Sequence, residues 1–155
     1  MTGKWKKAAA VLLAAVMAVL LVPLPTYAKE TAKISVGSGS CDIGDEVTIS
    51  VSVSSSVDIY MCDIWLSYDS GVLQPVSGYS GGGGGSVRLL STDSTSFSVR
   101  FKAVSAGSSS ISVSTSNTII SSADEDYMAV SAGSGSVTVK APVSYSTDNT
   151  LASLD

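Results

Sequence analysis

Val47-Thr48-Ile49-Ser50-Val51-Ser52-Val53 sets a β-branched apolar residue at every second position, with a hydroxyl residue between each pair. Successive side chains of a strand point to opposite faces, so this stretch reads as a strand with one buried face and one wet face. The same period of two returns in Ile34/Val36, Cys62/Ile64/Leu66/Tyr68, Phe97/Val99/Phe101, Ile111/Val113 and Val137/Val139. Between Lys29 and Ala141 there are 22 Val or Ile against 4 Leu, a bias towards strand formers over helix formers. After Ala28 no stretch carries a period of 3.6. All 32 serines lie beyond residue 28, and in a chain without periodicity they would mark a linker. Here they supply the wet faces of strands.

Turn formers separate these runs: Gly37-Ser38-Gly39, Gly44-Asp45, Asp69-Ser70-Gly71, Gly78, Gly81 to Gly85, Gly107 and Gly133-Ser134-Gly135. Eight or nine short strands at such spacing point to an all-β fold, an antiparallel two-sheet β-sandwich or jelly roll. The 35 large apolar residues between Lys29 and Ala141 are enough to fill the space between two sheets, about 10 Å thick.

Residues 1–28 read as a cleaved export signal with a helical apolar core. Met1 to Lys7 is a basic head, Ala8 to Leu24 an apolar run, and Thr26-Tyr27-Ala28 a small-residue cleavage site preceded by Pro23 and Pro25. A run of 17 apolar residues is short for a membrane span, and no basic stop-transfer segment follows it. The expected product is secreted or held at a bacterial cell surface, with no membrane attachment after cleavage. Residues 29–141 form the sandwich. From Pro142 the character changes, and 142–155 read as a linker and the start of a second domain.

Removing the signal leaves 6 basic against 13 acidic residues, a net charge of about −7 where the whole chain has −4. Nucleic-acid binding is not expected from that balance, because phosphates call for clustered Lys and Arg. Histidine is absent, which excludes imidazole acid–base chemistry, His-activated nucleophiles and His-ligated zinc. The carboxylates sit mostly in turns without a helper constellation, so no catalytic residue, no cofactor and no enzyme activity are assigned. Gly81 to Gly85 lacks the Lys and helix of a phosphate loop and reads as a flexible loop. Asp124-Glu125-Asp126 reads as a solvated turn and is assigned no metal, with calcium as the alternative; calcium takes six to eight oxygens from several segments.

Export would permit a disulfide between Cys41 and Cys62. If strands 46–53 and 61–68 pair antiparallel, however, the two lie on the order of 30 Å apart at about 3.3 Å per residue. Free thiols are expected, with Cys62 buried and an intermolecular bridge through Cys41 as the alternative.

Gly44-Asp45-Glu46-Val47-Thr48-Ile49, followed by Met61-Cys62-Asp63-Ile64-Trp65-Leu66-Ser67-Tyr68-Asp69-Ser70-Gly71-Val72-Leu73, resembles a cohesin domain. Phe97 to Val104 with Gly107 is similar to the family's sixth strand, Ala123 to Asp126 to its A-D-N-D turn, and Gly135 to Val139 to its closing strand. The resemblance spans roughly Lys33 to Lys140 and implies a nine-stranded jelly roll of the carbohydrate-binding-module type. It also implies a dockerin-type partner in cellulosome-like assembly for polysaccharide degradation. The segment from Tyr145 to Leu154 resembles the start of a bacterial cadherin-like β-sandwich. Two departures from the family stand out: a short interval between residues 76 and 96, and Ala129 where some cohesins carry a contacting Glu.

Alternation sends Cys62, Ile64, Leu66 and Tyr68 into the core and Met61, Asp63, Trp65 and Ser67 outward. The resemblance places dockerin contacts on this outward face, with Asp63 matching the family's Asp and Met61 standing where an Asn is common. These four are the candidate partner-binding residues, Trp65 as an aromatic anchor. The bland alternative has a loop covering Trp65 and Asp63 capping a neighbouring strand, and a one-residue slip would bury Trp65. A structural spacer, or direct carbohydrate binding through Trp65, Tyr60 and Tyr79, are the rival functions.

Overall fold

Ile49, Val51 and Val53 are buried while Thr48, Ser50, Ser52 and Ser54 are exposed, so the period of two in the sequence is the inside–outside alternation of a strand. The computed structural model describes residues 29–124 and 126–144, and the whole of that span is built from strands and turns. In chain order the strands begin β1 (Thr31–Val36), β2 (Gly39–Asp42), β3 (Glu46–Ser54), β4 (Ile59–Ser67), β5 (Leu73–Ser77) and β6 (Gly81–Gly82). They continue β7 (Ser86–Ser91), β8 (Ser96–Ala103), β9 (Gly107–Val113), β10 (Ile119–Ser122), β11 (Ala129–Ala132) and β12 (Gly135–Lys140). The export signal at 1–28, residue 125 and the segment from Tyr145 onward lie outside the described residues. Among the described residues, no helix is long and apolar enough to cross a membrane.

The strands form two sheets, as the alternation required. One has five strands in the order β11-β1-β3-β8-β5, and the other has seven in the order β2-β12-β9-β4-β7-β6, with β10 alongside β4. Their inner faces meet in a single core that includes Ile34, Ile49, Val51, Ile64, Leu66, Leu89, Val99, Phe101 and Ile111. Phe101 has no exposed surface, and the Tyr68 ring packs against it with centroids 5.2 Å apart. This is the all-β jelly-roll sandwich expected, with twelve strands among the described residues where eight or nine were anticipated, the short β2, β6, β10 and β11 accounting for the surplus over eight.

Three expectations need correction. β3 and β4 do not pair: β3 lies between β1 and β8 in one sheet and β4 belongs to the other. Sequential strands separated by a turn need not be sheet neighbours, and here the chain crosses the sandwich between Ser54 and Ile59. The ladders are also not wholly antiparallel, since β1 runs parallel to β11 and β2 parallel to β12. Finally, Gly81 to Gly85 is not all loop. Gly81 and Gly82 pair with Arg88 and Val87, and the Gly83 amide donates to the Ser86 carbonyl to close the turn. Gly82 to Gly85 all have positive φ, which explains why this turn is made of glycine.

Both cysteines are free, and Cys62 is buried. Burial pushes its thiol up to about 11, so native protein at pH 8 is expected to leave Cys62 unmodified by an aromatic disulfide reagent until denaturant is added. Rapid labelling of both thiols in the native state would contradict this packing.

Gly135 closes β12 against the crossing between β1 and β2. A Cβ built there would collide with the Gly37 carbonyl oxygen and press on the Val36 side chain, and backbone cannot yield as a side-chain tip can. Gly135→Ala is expected to destabilise by about 1–3 kcal/mol, the range for overpacking. Equilibrium urea unfolding measures it, and an unchanged midpoint would contradict the close approach.

Candidate functional site

β4 runs through the interior of the seven-stranded sheet, which fixes what lies beside each of its outward side chains. On one side β7 pairs Asp63 with Leu90, Trp65 with Arg88 and Ser67 with Ser86. On the other side β10 pairs Met61 with Ser121 and Asp63 with Ile119. Directly opposed residues project to the same face. The outward face therefore gathers Met61, Asp63, Trp65, Ser67, Arg88, Leu90 and Ile119, and the register that keeps Trp65 out of the core is the one expected.

The side chains in this group interlock. Arg88 Nε donates to Asp63 Oδ1 at 2.8 Å and Nη2 to Oδ2 at 2.6 Å, a bidentate fork between adjacent strands. The guanidinium carbon lies 5.8 Å from the Trp65 ring centroid, within cation–π range. The hydrogen bond to Asp63, and then its charge, raise the Arg88 pKa above its ordinary value. The Asp63 side chain is only 12% exposed, whereas that of Arg88 is 39% exposed. Leu90 and Ile119, flanking Asp63 on its two neighbouring strands, are each 42% exposed.

The backbone of Trp65 is pinned independently of its ring. Its amide donates to Thr118 Oγ1 at 3.1 Å, and its carbonyl accepts from the Ser114 amide at 2.8 Å. Between β4 and the turn before β10 a recess of about 520 Å³ opens beside the ring, lined by Trp65, Ser67, Ser86, Ser114, Asn117 and Ile119 among others. It combines an aromatic surface with neutral hydroxyl and amide groups.

All four residues proposed from the sequence share this face, but with unequal access. Trp65 and Met61 are partly buried, Ser67 is exposed, and Asp63 is enclosed by its own neighbours. The bland alternative for Asp63 is thus half right, since it engages the adjacent strand through Arg88. Ala129 lies on β11 of the opposite sheet, beside β1, so it does not occupy a position on this face. Tyr60 falls between the Ile59–Ser122 and Met61–Ser121 pairs as the extra residue of a bulge, and is 51% exposed. Arg88, Leu90 and Ile119 were not anticipated. The alternation Val87-Arg88-Leu89-Leu90 already marked Arg88 and Leu90 as outward residues, but not the strand they would lie beside. Among the described residues, no group of three metal-ligating side chains comes together, and Asp126 meets Ser122 through its backbone carbonyl.

Residues 32–97 match the family model of the cohesin domain, which bears out the resemblance. Among solved structures, a cohesin of Clostridium acetobutylicum is 20% identical, with a TM-score of 0.60 over 72% of this chain and 92% of that one. The sixth cohesin of scaffoldin B from Acetivibrio cellulolyticus, solved in complex with a mutant Cel5 dockerin, is 16% identical, with a TM-score of 0.60 over 71% of this chain and 99% of that one. A non-cellulosomal cohesin of the archaeon Archaeoglobus fulgidus is 16% identical, with a TM-score of 0.61 over 71% of this chain and 91% of that one. At these identities the likeness is one of fold. No curated protein matches the sequence.

Proposed function

We propose, with the cohesin-type sandwich as premise, that this chain is an exported, non-catalytic docking module that captures a dockerin-type protein on the outward face of β4. The observation that carries the reading is the cluster around Asp63: a partly exposed Trp65, exposed Leu90 and Ile119, and a single ion pair at the centre. A contiguous apolar patch with an aromatic and an Arg at its middle is the composition of an interface core. Dockerin complexes of cohesins with the same fold support the choice of partner. Export and a place in extracellular polysaccharide degradation rest on the signal-like residues 1–28 and on the family. Isothermal titration of residues 29–144 against a panel of folded dockerin modules tests the reading. Binding of at least one module at micromolar strength is expected, and failure of every module to bind would overturn it.

The recess beside Trp65 favours a second reading, direct binding of a glycan, because its hydroxyl and amide lining beside an aromatic ring suits a sugar. Affinity electrophoresis in cellulose derivatives, xylan and mannan separates the two. Retardation by a polymer that disappears in Asn117→Ala would support the glycan, and unchanged mobility on all of them would remove it.

A further inference from the structure

We infer that Arg88, and not Asp63, supplies the polar anchor of the docking face, and that the partner selected there presents a carboxylate set among apolar side chains. The inference rests on the docking reading above.

The first ground is the state of Asp63. Each of its carboxylate oxygens already accepts a charge-assisted hydrogen bond from Arg88, and Leu90 and Ile119 stand on either side of it. At 12% exposure the carboxylate is shielded from a protein arriving on this face. Its work is internal: it fixes the plane and direction of the guanidinium.

The second ground is the state of Arg88. A guanidinium carries five N–H donors. Asp63 takes one from Nε and one from Nη2, and among the described residues no further acceptor bonds the Arg88 side chain. The remaining donors belong to Nη1 and the second hydrogen of Nη2, on a side chain 39% exposed. Trp65 lies against the guanidinium and limits its motion. Its cross-strand neighbour on β6 is Gly81, which has no side chain to cover it, and a Cβ added there would meet no atom within 4 Å.

Held this way, Arg88 is a preorganised planar fork, and the group that matches such a fork is a carboxylate. The setting narrows the partner further. β4, β6, β7, β9 and β10 contain no other Lys or Arg, so Arg88 is the one positive point on these strands, while Lys29 stands at the far margin, where it lines a recess with Ile119 and Tyr127. A partner must therefore place one carboxylate at one position, with apolar groups against Leu90, Ile119 and Trp65. Such a contact sets orientation and selects among partners more than it adds affinity.

A double-mutant cycle tests this with a dockerin that binds the wild-type domain. Arg88→Gln is expected to weaken binding about tenfold or more, the range for truncating one side of an interfacial charge pair. Each exposed Asp or Glu of the dockerin is changed in turn to its amide and titrated against wild-type and Arg88→Gln domains. Coupling of about fivefold or more with one of those carboxylates supports the inference, because distant, independent residues add more closely than this. Gly81→Leu gives a second approach that leaves the ion pair intact: a side chain over the guanidinium should block the partner and weaken binding without moving the melting temperature, because Gly81 has no positive φ and an added Cβ meets no atom within 4 Å. Absence of coupling at every carboxylate overturns the inference while leaving the docking reading standing. A domain that binds no dockerin at all overturns the docking reading and this inference with it.

Discussion

Trp65→Ala is expected to weaken capture of a dockerin by about 30-fold or more, equivalent to the roughly 2 kcal/mol that defines a hot spot, while the domain stays folded. The two halves of this expectation have separate structural causes. Folding survives because the strand is held at this point by the Trp65 amide and carbonyl, bonded to Thr118 and Ser114, and those bonds do not involve the indole. The core beneath is supplied by Ile64 and Leu66, which point the other way. Binding suffers because the ring is at once the main aromatic surface of the face, one wall of the adjoining recess and the support of the Arg88 guanidinium. Titration calorimetry and thermal unfolding of the same preparation check both halves. Unchanged affinity would remove Trp65 from the interface, and a collapsed melting curve would show that the ring was structural.

Phe101→Ala is expected to give the largest loss of stability in the molecule, about 3–5 kcal/mol. Among the described residues Phe101 is the largest fully buried side chain, and it takes the Tyr68 ring as its neighbour in the core. Its strand, β8, is bonded on both sides, to β3 along seven residue pairs and to β5, so the backbone cannot collapse into the space left behind. Domains of this size are commonly stable by only about 5–15 kcal/mol, and the variant would lie near its unfolding threshold at ordinary temperature. A loss of less than about 1 kcal/mol by equilibrium urea unfolding would show that the site relaxes and that the core is looser than it looks.

The faces of the strands were legible in the sequence because alternation is a local property. Val47 to Val53 and Cys62 to Tyr68 could be sorted into inner and outer residues without knowing their neighbours, and the structure sorts them the same way. Pairing is not local. Nothing in the alternation of β3 and β4 says whether they share a sheet, and the assumption that they did was wrong even though the thiols it was used to separate are indeed free. The site divided along the same line. Met61, Asp63, Trp65 and Ser67 could be read from one strand, whereas Arg88 lies 25 residues from Asp63 and Ile119 lies 56 from it. They join the site only through the β4–β7 and β4–β10 registers. The Gly81 to Gly85 run pointed towards a loop because glycine disfavours strands, and the pairing of its first two residues comes from the neighbouring β7 backbone.

The parallel pairing of β2 with β12 bears on load. β2 is approached by the chain from its N-terminal end and β12 is left from its C-terminal end, and the two run in the same direction over Gly39–Asp42 and Val137–Lys140. Tension applied between residues 31 and 140 therefore slides these strands past one another, so their rungs are strained together instead of parting one at a time. β1, parallel to β11 in the other sheet, meets the same pull in the same manner. The sandwich carries such a clamp on each of its two layers, and a module tethered at one end and hauled from the other would yield abruptly, at high force, instead of peeling open.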